Sequence, residues 1–199
     1  MKKATIEVIT GPMFSGKSSE LIRRAKRFEL AGYKVQCFKP SIDNRYDQTH
    51  IASHDKVLQK AEPVEDTNDL LGKLDPQTEI IAIDEIQFFD DSILALCERW
   101  AEEDKHIIIS GLLLDCFGKP FAFMDSEKNM LHLIAIADTV QTLHAICTHK
   151  HYDGKICGEA ATRTQRFVDG KVAPKGDVVV VGGKESYAPR CRKCYVRYD

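Results

Sequence analysis

The eight residues Gly11-Pro12-Met13-Phe14-Ser15-Gly16-Lys17-Ser18 constrain this chain more than any other stretch. They fit G-x-x-x-x-G-K-[ST], a loop whose backbone N–H groups cradle an oligophosphate. With glycine at about 7% of residues in ordinary proteins, a chance match is on the order of one in a hundred. The flanks lower that further. Thr5 to Thr10 alternates and is rich in β-branched residues, which predicts a strand ahead of the loop. From Ser18 to Ala31, Leu21, Ile22, Ala25 and Phe28 recur at helical spacing, with Gly32 as the stop. Strand, loop and helix N-terminus then converge on one anion site. There Lys17 reaches the β- and γ-phosphates and the Ser18 hydroxyl ligates Mg²⁺, so a nucleoside triphosphate is the expected ligand.

The rest of the chain alternates strand and helix patterns. Strands are predicted at Lys34 to Phe38, Glu79 to Ile83, His106 to Ser110 and Thr139 to Leu143. Helices are predicted at Thr67 to Leu74, capped by Thr67 or Asn68, at residues 91–104, and at Met130 to Ala137. Ser41 to His54 is polar and irregular and reads as a long loop. Alternation of this kind behind a phosphate loop predicts an α/β, P-loop NTPase-like (RecA-like) fold, a mostly parallel sheet flanked by helices. The pattern weakens near residue 145, where cysteine, glycine and charge replace apolar runs. Two units are therefore expected, a nucleotide-binding domain over 1–144 and a small module over 145–199.

A net charge of −2 provides no general basic field for nucleic acid, although Arg190, Arg192, Lys193 and Arg197 crowd the C-terminus. Met-Lys-Lys-Ala runs straight into the first strand, so no signal peptide is expected, and no apolar run is long enough to span a bilayer. Seven cysteines, an odd number, suit a reducing compartment, and the expected location is the cytoplasm.

Two further patterns carry chemistry. Ile80-Ile81-Ala82-Ile83 followed by Asp84-Glu85 has the form of an apolar strand delivering a carboxylate toward Mg²⁺, about seventy residues after the phosphate loop. Asp84 is the metal-side candidate. Glu85 would either activate a water, giving an ATPase, or accept a proton from a substrate hydroxyl, giving a kinase. Phe88 and Phe89 follow closely enough to line a pocket. Near the C-terminus, Cys191-Arg-Lys-Cys194 is a C-x-x-C knuckle, and Cys147 and Cys157 lie upstream with nine residues between them. Four thiolates suit a tetrahedral structural Zn²⁺, with His149 and His151 as competing ligands inside the gap. Cys37, Cys97 and Cys116 read as ordinary buried residues, and His50, His54, His106, His132 and His144 show no ligand spacing.

Together these residues resemble the type II thymidine kinases, the cytosolic zinc-containing family, over nearly the whole chain. Gly-Pro-Met-Phe-Ser-Gly-Lys-Ser is similar to that family's phosphate loop, and Asp84-Glu85-Ile-Gln87-Phe88-Phe89 to its D-E-x-Q-F-F. Lys39-Pro40 with Asp43-Asn-Arg45-Tyr46, and Val181-Gly182-Gly183-x-x-x-Tyr187 ahead of the last cysteines, match two more of its motifs. The resemblance implies an ATP:thymidine 5′-phosphotransferase that makes dTMP, with Glu85 as general base and Lys17 neutralising phosphate charge. It places Gly11 to Ser18, Asp43, Arg45, Asp84 and Gln87 on the ATP side, with Ser18 and Asp84 positioning Mg²⁺. It places Met13, Phe88, Leu112, Phe121, Thr164, Val178, Val180, Gly182 and Tyr187 around the nucleoside, the later ones on a lasso loop anchored by zinc at Cys147, Cys157, Cys191 and Cys194. A homotetramer, inhibited by dTTP and binding neither membrane nor nucleic acid, is the family expectation. Position 116, often aromatic in the family, is Cys here, with Phe117 as the neighbouring aromatic that could replace it.

Other classes make different demands. A GTPase switch would need an N-K-x-D tetrad, which is absent. A zinc-ribbon ATPase acting on nucleic acid would account for the phosphate loop, Asp84-Glu85 and the basic C-terminus, but the chain is acidic overall and short for a motor plus a DNA-binding module. A zinc-stabilised nucleotide-binding module without catalysis would leave Glu85 and the Asp43–Arg45 segment without a purpose.

Overall fold

A computed structural model describes residues 4–42, 50–52, 58–179, 182–183 and 186–198. Asp43, Arg45, Tyr46, His54, Val180 and Val181 lie outside the described residues. In chain order the first elements are β1 (Ile6–Thr10), α1 (Lys17–Leu30), β2 (Val35–Pro40), β3 (His50–Ala52), β4 (Leu58–Lys60), β5 (Glu62–Val64), α2 (Thr67–Lys73) and β6 (Ile80–Ile83). A 3-10 turn (Ile86–Phe88), α3 (Ser92–Glu102), β7 (His106–Gly111), α4 (Met130–Ile136) and β8 (Thr139–Thr142) complete this part.

Six of these strands form one sheet in the order β5-β2-β6-β7-β1-β8, and every pairing in it is parallel. Parallel strands are covered on both faces, so their side chains are apolar on both. Ile81, Ile83, Ile107, Ile109, Ile6 and Val8 face one way, where Ile93, Leu94, Leu96, Cys97 and Trp100 of α3 close over them. Ile80, Ala82, Ile108 and Ile9 face the other way, against Leu21, Ile22 and Ala25 of α1. Each such isoleucine stabilises the fold by about 1.5–3 kcal/mol relative to its exposed state. Glu7 is a polar residue on the α1-facing side, and its partners are Arg24 and His106.

Two local expectations are corrected. The cap of α2 is Asp66, whose carboxylate accepts from Asp69 N at 2.8 Å, rather than Thr67 or Asn68. Thr67 is instead buried in the first turn. The segment taken as one loop to His54 contains β3, which pairs antiparallel with β4. Three-residue strands leave too little alternation to be read. β5 was hidden by Pro63, which a strand at the sheet edge tolerates because that edge needs no donor.

The cysteine-bearing segment is built differently. It contains β9 (Ala145–Ile146), β10 (Ala160–Ala161), β11 (Arg163–Val168), β12 (Lys171–Val172) and β13 (Tyr187–Arg190). β9 and β10 form an antiparallel pair, and a second antiparallel sheet has the order β12-β11-β13. Its buried cluster is small: Ala145, Cys147, Ala161 and Cys191. Among the described residues, no helix is long and apolar enough to cross a membrane.

Candidate active site

The phosphate loop leaves the C-terminal end of β1, an inner strand between β7 and β8, and ligands of α/β sheets bind at the C-terminal ends of strands. Gly11 is required by space. A Cβ there would collide with the Leu143 carbonyl and approach the Ser15 hydroxyl within 2.8 Å. Gly16 stands at the N-cap of α1 in the left-handed region, φ 84°, and no side chain caps the helix. A helix start of this kind turns N–H groups and the positive end of the helix dipole toward an anion. Phe14 also has a left-handed backbone, φ 66°, a conformation that costs about 1–3 kcal/mol and is held by its surroundings. Its ring packs against the Cys147–Cys191 cluster. Lys17 is buried and its ammonium donates to Pro12 O at 2.9 Å, across the mouth of the loop.

On the far side of β7 from β1, β6 ends at Asp84 and Glu85, both buried. Ser110 Oγ and Glu85 N donate to the same Asp84 oxygen. Glu85 has φ 50°, so the chain turns sharply and redirects its carboxylate. Gln87 fixes that carboxylate: its Nε2 donates to Glu85 Oε2 at 2.6 Å, and its Oε1 accepts from Leu112 N at 3.0 Å. Gly111 makes room for it, since a Cβ there would stand 2.7 Å from Gln87 Oε1. Gln87, assigned with the ATP-side residues, thus spends its amide on supporting Glu85. That role depends on the fit to Gly111 and had no signal in the sequence.

Glu85 opens into a cleft with about 570 Å³ of non-protein space, part of it open to solvent. Every described nucleoside-side candidate lines it: Met13, Phe88, Leu112, Phe121, Thr164, Val178, Gly182 and Tyr187. Phe88 and Phe121 meet edge to face, 5.9 Å between centroids, while Phe89 is in the core. Thr164 ties the cysteine-bearing segment to the phosphate loop by accepting from Met13 N at 3.0 Å. The cleft also takes in Cys116 and Val179, together with Ile42 and Leu114, the last two of which did not stand out in the sequence as contacts. Phe117 does not replace an aromatic at 116; its ring packs on Tyr198, 4.8 Å away, and the Cys116 side remains on the cleft.

The four cysteines converge. Their sulfurs all lie within 4.8 Å of one another, and Cys157 and Cys191 are 3.9 Å apart. A tetrahedral zinc with Zn–S bonds of about 2.3 Å would hold sulfurs about 3.8 Å apart, so the donor set fits that ion. The nine-residue gap folds back on itself, with His151 N donating to Lys155 O at 2.9 Å and Cys157 N to His149 O at 2.8 Å. This brings Cys157 beside Cys147. His149 and His151 pack ring to ring, 5.1 Å apart, and are not members of the cluster. Burial opposes the Cys191 thiolate, but the N–H groups of Cys194 and Lys193 and the adjacent thiols outweigh it and bring its pKa down to about 7. Cys194 is pushed up to about 12, by burial and then by its thiol neighbours. Four thiolates this close need a cation between them.

Of the remaining candidates, Cys37 and Cys97 are buried thiols pushed up to about 12, chiefly by desolvation. His106 is buried with Nδ1 2.6 Å from Thr5 Oγ1, and His132 completes the capping box of α4 with Asn129. Both are structural.

A phosphate loop, an acidic strand end and an adjoining apolar cleft are the parts a P-loop kinase requires. The chain belongs to the thymidine kinase family, whose model matches residues 4–195, nearly its whole length.

Proposed function

We propose that the protein transfers the γ-phosphoryl of ATP to the 5′-hydroxyl of thymidine, giving dTMP and ADP. The observation that carries this reading is the place of Glu85: it is next to Asp84 at the strand end and lines the same cleft as Met13 of the phosphate loop. A base in that position meets a hydroxyl presented from the cleft, not bulk water.

The loop N–H groups and Lys17 hold the triphosphate, and Glu85 accepts the 5′-hydroxyl proton. The O5′–Pγ bond forms as the Pγ–O bond to ADP breaks. Mg²⁺ held by Ser18 and Asp84 would spread the phosphate charge. Gln87 keeps Glu85 from swinging away, a positioning effect that can be worth orders of magnitude in rate. Apolar walls from Phe88, Leu112 and Phe121 exclude water, which limits wasteful hydrolysis. Val178, Gly182 and Tyr187 would close over the base as a lasso, joined in this reading by Val180, while Asp43 and Arg45 serve the phosphate side.

The four thiols could hold a structural zinc that fixes the two ends of the lasso segment. In the same reading residues 1–144 and 145–199 are separate units, dTTP is an inhibitor and the protein is a homotetramer. The test follows ADP and dTMP together, with and without thymidine. Thymidine-dependent ADP release matched one-to-one by dTMP is expected. ADP release indifferent to thymidine but raised by single-stranded DNA would support the ATPase reading instead.

A further inference from the structure

The wall of the cleft formed by residues 112–121 is fastened from behind by the residue that follows the last cysteine. Tyr195 N donates to Cys191 O at 3.0 Å, so its backbone is part of the knuckle. Its side chain is buried and its hydroxyl donates to Cys116 O at 2.8 Å, joining positions 79 residues apart. Cys116 therefore turns its side chain to the cleft and its carbonyl to the tail.

The tip of this wall is otherwise self-contained. Asp115 Oδ1 accepts from Phe117 N and Lys119 N, both at 2.9 Å, and Leu114 bridges to Pro120. Among the described residues, the Tyr195 hydroxyl makes the one hydrogen bond that reaches residues 115–119 from elsewhere in the chain. Gly118, at φ 77°, seats the tip on the tyrosine; a Cβ there would lie 3.3 Å from the hydroxyl. Phe117 rests on Tyr198, and fully buried Gln165 holds that stretch of tail by accepting from Val196 N and donating to Tyr198 Oη.

We infer that Tyr195 is a positioning residue for the nucleoside subsite, transmitting the geometry of the cysteine cluster to Leu114, Cys116 and Phe121 in the cleft wall. The inference rests on reading the cleft as the thymidine site. An ordered cluster sets the position of Tyr195, Tyr195 sets Cys116, and the wall is pre-shaped for the base. A loosened cluster releases the wall while Glu85, held through Gln87 by Leu112 N and by the end of β6, keeps its place. Nucleoside affinity then responds to the state of the thiols.

The test compares wild type, Tyr195→Phe, Phe117→Leu and Lys193→Ala as full-length, zinc-loaded protein. Zinc content, the thymidine Kd by calorimetry, and kcat with both KM values are measured for each. Tyr195→Phe should keep its zinc, its kcat and its ATP KM while thymidine Kd and KM rise about threefold to tenfold, the effect of one buried hydrogen bond. Phe117→Leu should move thymidine affinity in the same direction, and Lys193→Ala, on the knuckle but off this path, should leave it unchanged. Unaltered thymidine affinity in Tyr195→Phe with zinc in place would overturn the inference. So would a joint fall of zinc content, kcat and both affinities, which would mark Tyr195 as a folding residue only. A wild-type protein that makes no dTMP would instead refute the thymidine reading, whatever the variants do.

Discussion

In β6 and β7 six of the ten residues are buried isoleucines, whereas around Cys147 the buried cluster is two alanines and two thiols. The first arrangement is held by apolar area taken out of water. The second has too little of it, and it relies on four clustered thiols able to hold a metal and on a few long-range bonds such as Tyr195 to Cys116. Yet both regions border one cleft, Glu85 and Phe88 from the sheet, Thr164 and Tyr187 from the cysteine-bearing segment. A rigid half can carry the chemistry while a conditional half decides what is admitted.

The largest effect should come from removing the metal. Binding of structural zinc is worth on the order of 10 kcal/mol of folding energy in small modules. Chelation should therefore abolish thymidine-dependent turnover while helical circular dichroism persists. Loss of the sheet signal on chelation would show that the two halves do not stand apart. Glu85→Gln should next lower kcat by about 10²–10⁴-fold, the range for a lost general base, with ATP affinity and zinc content preserved. Unchanged turnover would remove Glu85 from the mechanism.

Ile81→Ala attacks the sheet alone. It should lower unfolding stability by about 2–5 kcal/mol in denaturant titrations without changing zinc stoichiometry. Smaller still, Gly111→Ala should push Gln87 off Glu85 and reduce kcat by about tenfold to a hundredfold, with little change in ATP KM. A silent Gly111→Ala would mean that Gln87 does not orient the base.

The mildest test uses pH. Glu20 on α1 is held at a pKa of about 2 by the Arg23 hydrogen bond and then by Arg24, against a usual 4.5. A depressed carboxylate stabilises the fold above its unfolded pKa, and that contribution fades as pH falls from about 4.5 toward 2. Thermal melts should show the wild-type advantage over Glu20→Gln shrinking across that window; a constant difference would reject the assignment.

Much of this was legible before any coordinates. β1, the loop and α1 were visible because a motif, an alternation and a 3.6-residue period agree over one short stretch. β6 with Asp84 was visible for the same reason. The missing parts depend on residues far apart or on segments too short to show a period. The Cys147–Cys157 pair comes together only because the nine residues between them fold back, which spacing alone does not reveal. Gln87 needs the empty space at Gly111, and Leu114 and Cys116 reach the cleft through a turn whose tip is fastened by Tyr195. β5 went unread because proline argues against a strand unless the strand is known to lie at an edge.

The strand order also has a consequence for synthesis. β1 and its phosphate loop are made first, but β1 pairs only with β7 and β8, which lie at residues 106–111 and 139–142. At ribosomal rates of about 5–20 residues per second, β1 waits on the order of ten seconds for its second neighbour. Until β7 is made, this apolar strand has two open edges and no native partner. The phosphate cradle is thus made before both strands that flank β1 and is completed only once they have paired with it.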